Sequence, residues 1–331
     1  MRASRVPFRI ILALLGIAVL LVGTAAQSAD EFPKKEIRLI VPSSPGGTVD
    51  TAARTVQPFW EKQLGVPLVV ENRPGGNLAL GFTLAAKAAP DGYTIGVYAA
   101  PHLQFTILTQ KVEYNVDSFS FIGSFGFDPG VIRVHRDAPY NDLKGFLAWV
   151  KQQPKGSVSV SVSAGTSSNV LGLREIERLA GVEFNIVPFK GGTEARLAVA
   201  GKHAVATHTQ IFVSRSVARD TKVIAVHYHK NDWKDLTDNA KPIKEETGWD
   251  VMDTGSGSGF LVTSKLQKEH PDRFDKLVKT YKAAIESKDF LDRMKASQTD
   301  RQLENISPDK LLTDMQRSLA ELSKYKEFIT K

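Results

Sequence analysis

Apolar residues in the first third of the chain form short runs that alternate with longer, helix-like patterns. The run over residues 37–41 predicts a buried strand, and the Pro- and Gly-rich residues 42–47 end it. A helix is expected from Thr48, as its N-cap, to about residue 64, where Gly65 is a usual terminating residue. Pro58 should kink or restart this helix, because proline lacks the N–H that a helix interior needs.

The same unit recurs twice before residue 100. Strands are predicted over residues 66–70 and 93–98, with an Ala-rich helix over 78–89 between them. Strand and helix in alternation are typical of a parallel sheet covered by helices. Ligands of such sheets bind beyond the carboxyl ends of the strands, so the loops 43–50, 72–77 and 99–102 are expected to converge there.

The rest of the chain predicts a second lobe and a return to the first. Residues 115–134 contain aromatic strands interrupted by glycines, where a crossing to the second lobe fits. The segment 254–259, Thr-Gly-Ser-Gly-Ser-Gly, is flexible enough to be the return crossing. Further elements are predicted as helices over 143–150, 266–287 and after the cap at 307–309, and as strands over 157–162, 184–189, 205–212 and 223–229.

We therefore divide the chain into two α/β lobes that enclose a cleft. The expected segments are 1–29 as a signal peptide, 30–130 as the first part of lobe one, 131–254 as lobe two, and 255–331 as the return to lobe one. Clefts between domains are favoured positions for small ligands.

The N-terminus predicts export. Three arginines precede an apolar run over residues 10–22, and cleavage is expected after Ala26 or Ala29. The alternative is an uncleaved membrane anchor, but this run of 13 residues is shorter than the ~20 that span a bilayer. We expect a periplasmic protein that is soluble after cleavage. The sequence has no cysteine for lipid attachment or disulfides, and a core of this size needs no disulfide.

The charge of the chain is mild. Its formal net charge of +7 falls to +4 when the three arginines of residues 1–29 are removed. Lysines alternate with acidic residues, and no basic and aromatic stripe suits nucleic acid. We expect no nucleic-acid partner.

The motifs that would indicate a hydrolase, a phosphate-binding protein or a zinc protein are weak or absent in this sequence. Residues 255–259 approach the Gly-x-Ser-x-Gly motif of hydrolases but have Gly257 at the serine position, and no phosphate-binding P-loop is present. His227 and His229 share one side of a predicted strand, with His203 and His208 near in sequence, but without cysteine or a His/Glu motif a zinc site is not favoured. No enzyme activity, metal or cofactor is therefore expected.

Several short strings, in order, resemble one family. They are IRLIVP at 37–42, PGGTVD at 45–50, VENRPG at 70–75, APDGYT at 89–94 and VPFKGG at 187–192. With this spacing, residues 32–331 resemble the extracytoplasmic solute receptors of tripartite tricarboxylate transporters, the Bug or TctC-like family. The resemblance implies a type II periplasmic-binding-protein fold with two α/β lobes and a hinged cleft.

The resemblance also implies a function and its partners. A monomeric receptor would bind a small carboxylate in the cleft and deliver it to the permease subunits of the transporter. In the family, backbone N–H groups, hydroxyls and bridging waters hold the carboxylate, without an arginine clamp. The sequence leaves two alternatives open: a sensor that signals to a membrane kinase, and more remotely a secreted hydrolase.

The residues expected to bind the ligand follow by position. A bland alternative is that these loops are only tight turns between strands and helices. Asp50 is expected to hold its turn by bonding backbone N–H groups. The candidates in lobe one are Ser44, Gly46, Gly47, Thr48, Asp50, Asn77, Ala100 and His102, and those in lobe two are Ser163, Thr166, Ser167, Ser168, Lys190, Gly191, Gly192 and Thr193.

Departures from the family pattern fall around the expected cleft. The family usually has an aromatic residue where Ser43 stands, another where residues 255–257 stand, and tyrosine at Phe189. These positions affect which ligand the cleft accepts more than they affect the fold.

Overall fold

The computed structural model describes residues 32–163, 165, 167–323 and 326. The predicted signal peptide lies outside the described residues. The strands are β1 (Ile37–Val41), β2 (Leu68–Asn72), β3 (Thr94–Ala100), β4 (Phe119–His135), β5 (Val158–Val162), β6 (Phe184–Pro188), β7 (Ala206–Gln210), β8 (Thr221–His227) and β9 (Gly255–Thr263). The α-helices are α1 (Thr48–Leu64), α2 (Ala79–Ala86), α3 (His102–Thr109), α4 (Leu143–Val150), α5 (Ser168–Ala180), α6 (Gly192–Ala200), α7 (Ile243–Thr247), α8 (Ser264–Glu269), α9 (Pro271–Ile285), α10 (Lys288–Ala296) and α11 (Pro308–Ser323).

The strands follow the order β2-β1-β3-β9-β4-β7-β5-β6, and β8 also pairs with β4. The β1–β2 and β1–β3 pairs are parallel, as are β5–β6 and β5–β7. Each parallel set therefore ends its strands at one edge, and the loops into α1 and α6 begin at these edges. This is the mixed α/β architecture that the alternation of strand and helix predicted.

Strand β4 joins the two parts of the sheet. Its residues 119–129 pair with β9, and its residues 130–135 lie between β7 and β8. The glycines predicted to break this segment instead accompany shifts of register near Gly123 and Gly126, so one strand continues through them.

The two largest clusters of buried hydrophobic residues lie on opposite sides of this crossing. In the first, Trp60 of α1 packs edge-on against Phe260 and Tyr281, at 5.1 Å between ring centroids in each pair. The second core is built from β4, β5 and their covering helices and includes Ile132 and Phe146. Two cores fit the two predicted lobes, whose boundaries stay a prediction.

Several local predictions were wrong. Gly47, not Thr48, is the N-cap of α1. The helix does not restart at Pro58, which lies inside one helix from Thr48 to Leu64. Residues 255–259 are not a flexible linker, because they begin β9 and are mostly buried between β3 and β4. The helix predicted over 266–287 is two helices, α8 and α9, which meet at His270 and Pro271.

Candidate functional site

The loop between β1 and α1 is held by one buried carboxylate. Asp50 accepts hydrogen bonds from the Gly46 N–H at 2.8 Å and from Asn72 Nδ2 at 2.8 Å, and it pairs with Arg54 Nε at 3.0 Å. Gly46 has a φ of +78°, a left-handed conformation that glycine adopts without strain. Asp50 therefore holds the turn, as its position in the sequence predicted.

The N-terminus of α1 is left open by this arrangement. Its N-cap is Gly47, which has no side chain to accept a hydrogen bond. The N–H groups of Thr48 and Val49 find no acceptor in the described part of the chain. Unpaired N–H groups at the positive end of a helix dipole form a site for an anion.

Helix α6 presents a second glycine-capped N-terminus to the same space. Its N-cap is Gly191, again without a side-chain hydrogen bond. The two loops touch directly: a Cβ added at Gly191 would lie 3.1 Å from Ser44 Cβ. Thr193 Oγ1 donates to Pro45 O at 3.5 Å, and Arg196 Nη2 donates to Gly46 O at 3.1 Å. These contacts bring the two loops together in a closed arrangement.

A small cavity of about 50 Å³ lies between these loops. Its lining residues are Ser43, Gly47, Thr48, Val49, Leu78, Ala99, His102, Ser163, Lys190, Gly191, Gly192, Gln210 and Ser256. None of these lining residues is Asp or Glu, and Lys190 is the one Lys or Arg among them. The charges around the cavity therefore favour an anion.

His102 contributes a neutral imidazole to the wall. Burial lowers its pKa to about 4, so the ring carries no charge at neutral pH. Its Nδ1 has no hydrogen-bond partner among the described residues. A neutral imidazole has one N–H donor and one acceptor nitrogen, so His102 can hydrogen-bond a carboxylate without neutralising it.

Residues from the strand ends complete the cavity. Thr48 Oγ1 donates to Gln210 Oε1 at 3.4 Å, which joins α1 to the end of β7. Ser43 and Ser256 also line the cavity. Ser43 and the segment 255–257 are places where the resemblance described above implies aromatic side chains, and small hydroxyl groups line the cavity here.

The structure brings together seven of the residues predicted for the site: Gly47, Thr48, His102, Ser163, Lys190, Gly191 and Gly192. The other candidates do not line this cavity, and several of them make contacts within or between the loops. Gly46 and Asp50 bond each other, while Ser44 and Thr193 form contacts between the two loops. Asn77 is exposed, and its neighbour Leu78 lines the cavity.

The remaining candidates are displaced for identifiable reasons. Ala100 faces a different cavity, since neighbouring residues of a strand point to opposite faces and Ala99 takes its place. Ser167 accepts a hydrogen bond from Val170 N at 3.3 Å, and Ser168 Oγ donates to Gly255 O at 2.9 Å. Thr166 lies outside the described residues.

The list of candidate residues omitted Ser43, Val49 and Ala99, which lie in the loops predicted to converge, and it also omitted Leu78, Gln210 and Ser256. Ser43 and the segment 255–257 carried a signal, because the resemblance implies aromatic side chains at these places. Gln210 carried none, because it ends an ordinary strand far along the chain. Arg196, which contacts Gly46 O, was also missed; it is buried, and no motif marks it.

The histidines considered for zinc do not form a metal centre. His208 Nε2 and His227 Nδ1 lie 2.9 Å apart, both buried, while His229 pairs with Asp253 at the surface. Within residues 32–323, apart from the undescribed 164 and 166, no group of three His, Cys, Asp or Glu is placed to hold a metal ion.

A family model described as the tripartite tricarboxylate transporter family receptor, TctC, matches residues 52–322 of the chain. The chain belongs to this family. TctC proteins are solute-binding receptors of the periplasm and are not enzymes. The resemblance inferred from the five short strings is therefore confirmed.

Curated relatives support the assignment to TctC. A UPF0065 protein of Bordetella pertussis is 29% identical over 232 residues, which cover 68% of this chain and 70% of that protein. Protein BugT of the same organism is 32% identical over 189 residues, which cover 56% of this chain and 58% of BugT.

Solved structures share the fold. MatC from Rhodopseudomonas palustris, solved with bound malate, is 23% identical with a TM-score of 0.75, and the match covers 91% of this chain and 100% of MatC. An R. palustris protein solved with adipate is 21% identical with a TM-score of 0.80, over 90% of this chain and 98% of that one. The periplasmic binding protein BugD matches at 23% identity and a TM-score of 0.77, over 90% and 98%. The predicted periplasmic-binding-protein fold is confirmed.

None of the described helices of this TctC protein is both long enough and apolar enough to cross a bilayer.

Proposed function

We propose that this protein is a periplasmic receptor that captures a small carboxylate in the cavity between the loops of α1 and α6 and delivers it to a tripartite tricarboxylate-type transporter. The observation that carries the proposal is the open N-terminus of α1. The N–H groups of Thr48 and Val49 lack acceptors among the described residues, and both residues line the cavity. A carboxylate oxygen is the acceptor that these donors lack.

The electrostatics of the lining support an anion. The N-terminus of α1 stabilises a nearby negative charge by about 0.3–1 kcal/mol at exposed positions, and by up to about 2 kcal/mol where the site is partly buried. Lys190 adds a full positive charge at the rim, and its side chain is exposed. No lining carboxylate opposes either effect.

The size of the cavity supports a short ligand. One water molecule needs roughly 10–15 Å³ of cavity volume. A cavity of about 50 Å³ therefore accommodates only a few water-sized groups while the two loops are in contact. Ser43, Ser256 and Gln210 surround this space with polar groups. A compact hydroxy or dicarboxylic acid fits this lining better than an apolar fatty acid, and matched structures hold malate and adipate.

The proposal includes the location and the partners. Residues 1–29 direct export to the periplasm, and the mature protein acts there as a monomer. Closure of the cleft around the carboxylate presents the filled receptor to the permease subunits. The closed state is favoured because the ligand contacts the loops of both helices at once, and only such differential affinity shifts a conformational equilibrium.

A ligand screen tests the binding step. Residues 30–331 are screened by thermal shift against short mono-, di- and tricarboxylates, each with its amide as a matched control. A ligand at 100 times its dissociation constant stabilises a protein by about 2.7 kcal/mol. We expect at least one acid to raise the midpoint while its amide does not. Equal stabilisation by acid and amide would contradict the carboxylate assignment.

The charge at the rim is tested with a matched pair of lysines. Lys190→Gln should weaken binding of the identified acid several-fold in calorimetry. Lys151→Gln, at an exposed position on α4's C-terminal side and away from the cavity, should not. If both variants bind like the unmodified protein, Lys190 has no part in ligand capture.

Delivery is tested in the producing organism. Deleting the gene should abolish uptake of the radiolabelled acid, and the intact gene should restore it where a binding-deficient gene does not. Normal uptake in the deletion strain would contradict delivery without contradicting binding.

A further inference from the structure

A second and larger cavity lies on another side of the β4–β9 crossing. Its volume is about 310 Å³, and it shares no lining residue with the cavity proposed for the carboxylate. Helices α3 and α11, the crossing strands and the segment 252–253 enclose it. Its apolar walls include Phe127, Met252, Leu311, Met315 and Leu322. Cavities of this size suit small molecules.

A buried amide borders this cavity without a full set of partners. Gln104 is completely buried, and its Nε2 approaches Met315 Sδ at 3.2 Å. Its Oε1 has no hydrogen-bond partner among the described residues. A buried carbonyl without a donor costs about 1–3 kcal/mol, so a ligand that supplies a donor here recovers that free energy.

A carboxylate on the same cavity also lacks a partner. Glu304 lines the cavity as an exposed residue, and no side chain in the described part of the chain makes a hydrogen bond or ion pair with its carboxylate. Partial desolvation by the surrounding protein raises the pKa of Glu304, and the nearby Lys310 lowers it by a smaller effect. Glu304 is therefore a negative group that a cationic ligand would stabilise.

The other charges at the cavity are already paired. Asp253 lies 2.6 Å from His229 Nδ1, and Asp314 lies 2.6 Å from Lys310 Nζ. The lining residues themselves include no Lys, Arg or His. The potential at the cavity is therefore set by carboxylates, the opposite of the carboxylate site.

We propose that this cavity binds a small organic cation with an apolar body, of the primary alkylammonium class. An ammonium group has three donors and no acceptor, which matches Glu304 and the Gln104 carbonyl. The alkyl body packs against the methionine, leucine and phenylalanine side chains, and methionine adapts its shape to such ligands. An anion would face Glu304 without a counter-charge, and a neutral alcohol would leave that carboxylate unpaired.

Calorimetry with n-hexylammonium tests this site, with hexan-1-ol and hexanoate as controls of equal chain length. We expect the amine to bind at least ten-fold more tightly than the alcohol, and the acid not to bind at this cavity. Glu304→Gln should lower the affinity for n-hexylammonium at least ten-fold. The control Glu269→Gln, at an exposed position at the end of α8, should leave it unchanged.

Two further measurements separate this site from the carboxylate site. Ser318→Phe, which fills the cavity from α11, should abolish amine binding and retain binding of the acid identified by the screen. A variant that cannot bind the acid should bind the amine normally. The proposal is overturned if n-hexylammonium does not bind at millimolar concentration, if hexan-1-ol binds equally well, or if Glu304→Gln binds the amine like the unmodified protein.

Discussion

Two helices that begin at glycine face the carboxylate cavity, and one that begins at serine does not. Gly47 and Gly191, the N-caps of α1 and α6, both line the cavity. Ser167, the N-cap of α5, accepts a hydrogen bond from Val170 N at 3.3 Å and does not line it. In the sequence, each of these three helices follows a strand and a short loop.

The difference lies in what the N-cap side chain does. A serine hydroxyl accepts one of the N–H groups at the start of its own helix, whereas glycine leaves these donors for another acceptor. The glycine cap costs helix stability only slightly, by a few tenths of a kcal/mol relative to good caps. Helices α1 and α6 thus keep their donors available, while α5 serves to hold the crossing through Ser168 and Gly255.

The strongest way to break this comparison is to give α1 a capping side chain. Gly47→Asp places a carboxylate where it can accept the open N–H groups, and it adds a negative charge to an acid-free cavity. We expect affinity for the acid to fall at least 100-fold, about 2.7 kcal/mol, when measured by calorimetry. Thermal unfolding should change by less than about 1 kcal/mol, since aspartate is a good N-cap.

Gly47→Ala is the matched control, because it adds bulk without an acceptor. A Cβ at this position would lie 3.1 Å from Ser43 Oγ, so some crowding is expected. Its loss of affinity should be much smaller than that of Gly47→Asp. Equal losses in the two variants would show that crowding, and not capping, determines the effect.

A second variant weakens the support of the loop. Asp50→Asn removes the negative charge that pairs with Arg54. It also replaces one of the two carboxylate oxygens, of which Oδ2 accepts the hydrogen bond from the Gly46 N–H. Stability should fall by about 1–3 kcal/mol in denaturant unfolding, since a buried hydrogen-bonded charge is lost. Affinity for the acid should fall about ten-fold, a loss of roughly 1.4 kcal/mol, because the open N–H groups are no longer fixed. Tighter binding would mean instead that Asp50 mainly repels the ligand.

Local patterns were sufficient to predict the elements near this loop. The apolar run of β1, the glycines after it and the role of Asp50 all depend on residues close in sequence. The same reasoning failed at residues 255–259, because their glycine and serine content is typical of a linker, whereas pairing with β3 and β4 makes them a strand.

The missed part of the site depends on contacts between distant residues. Gln210 meets Thr48 across 162 positions, and Arg196 meets Gly46 across 150. No periodicity or motif encodes such pairs. The serines of the α5 loop were predicted as ligands because a hydroxyl suits an anion as well as it suits a helix N-terminus, and only the structure shows which N–H each one meets.

The buried His102, which lines the cavity, leads to a prediction about the pH dependence of stability. Because the pKa of His102 in the folded protein is about 4, below its usual 6.5, the unfolded chain takes up the proton first as the pH falls. The stability from neutral His102 is complete above pH ~6.5 and is lost progressively toward pH 4. Between pH 7 and 5, the unmodified protein should lose about 2 kcal/mol more than His102→Gln in denaturant unfolding.

Comparing the two proteins removes the effects of other buried groups. His208, His227 and Asp128 also have shifted pKa values, but they titrate in both proteins and cancel in the difference. Parallel stability curves for the two proteins would contradict a buried, neutral His102.

The smallest effect is expected at the serine-capped helix, and it completes the comparison. Ser167→Ala removes the acceptor of Val170 N and should cost about 1 kcal/mol of unfolding free energy, as for other lost N-caps. Affinity for the acid should stay within two-fold, because the donors at this helix do not line the cavity. A large loss of affinity without a loss of stability would place Ser167 in the ligand site, and the N-cap residue would then not decide which helices bind the anion.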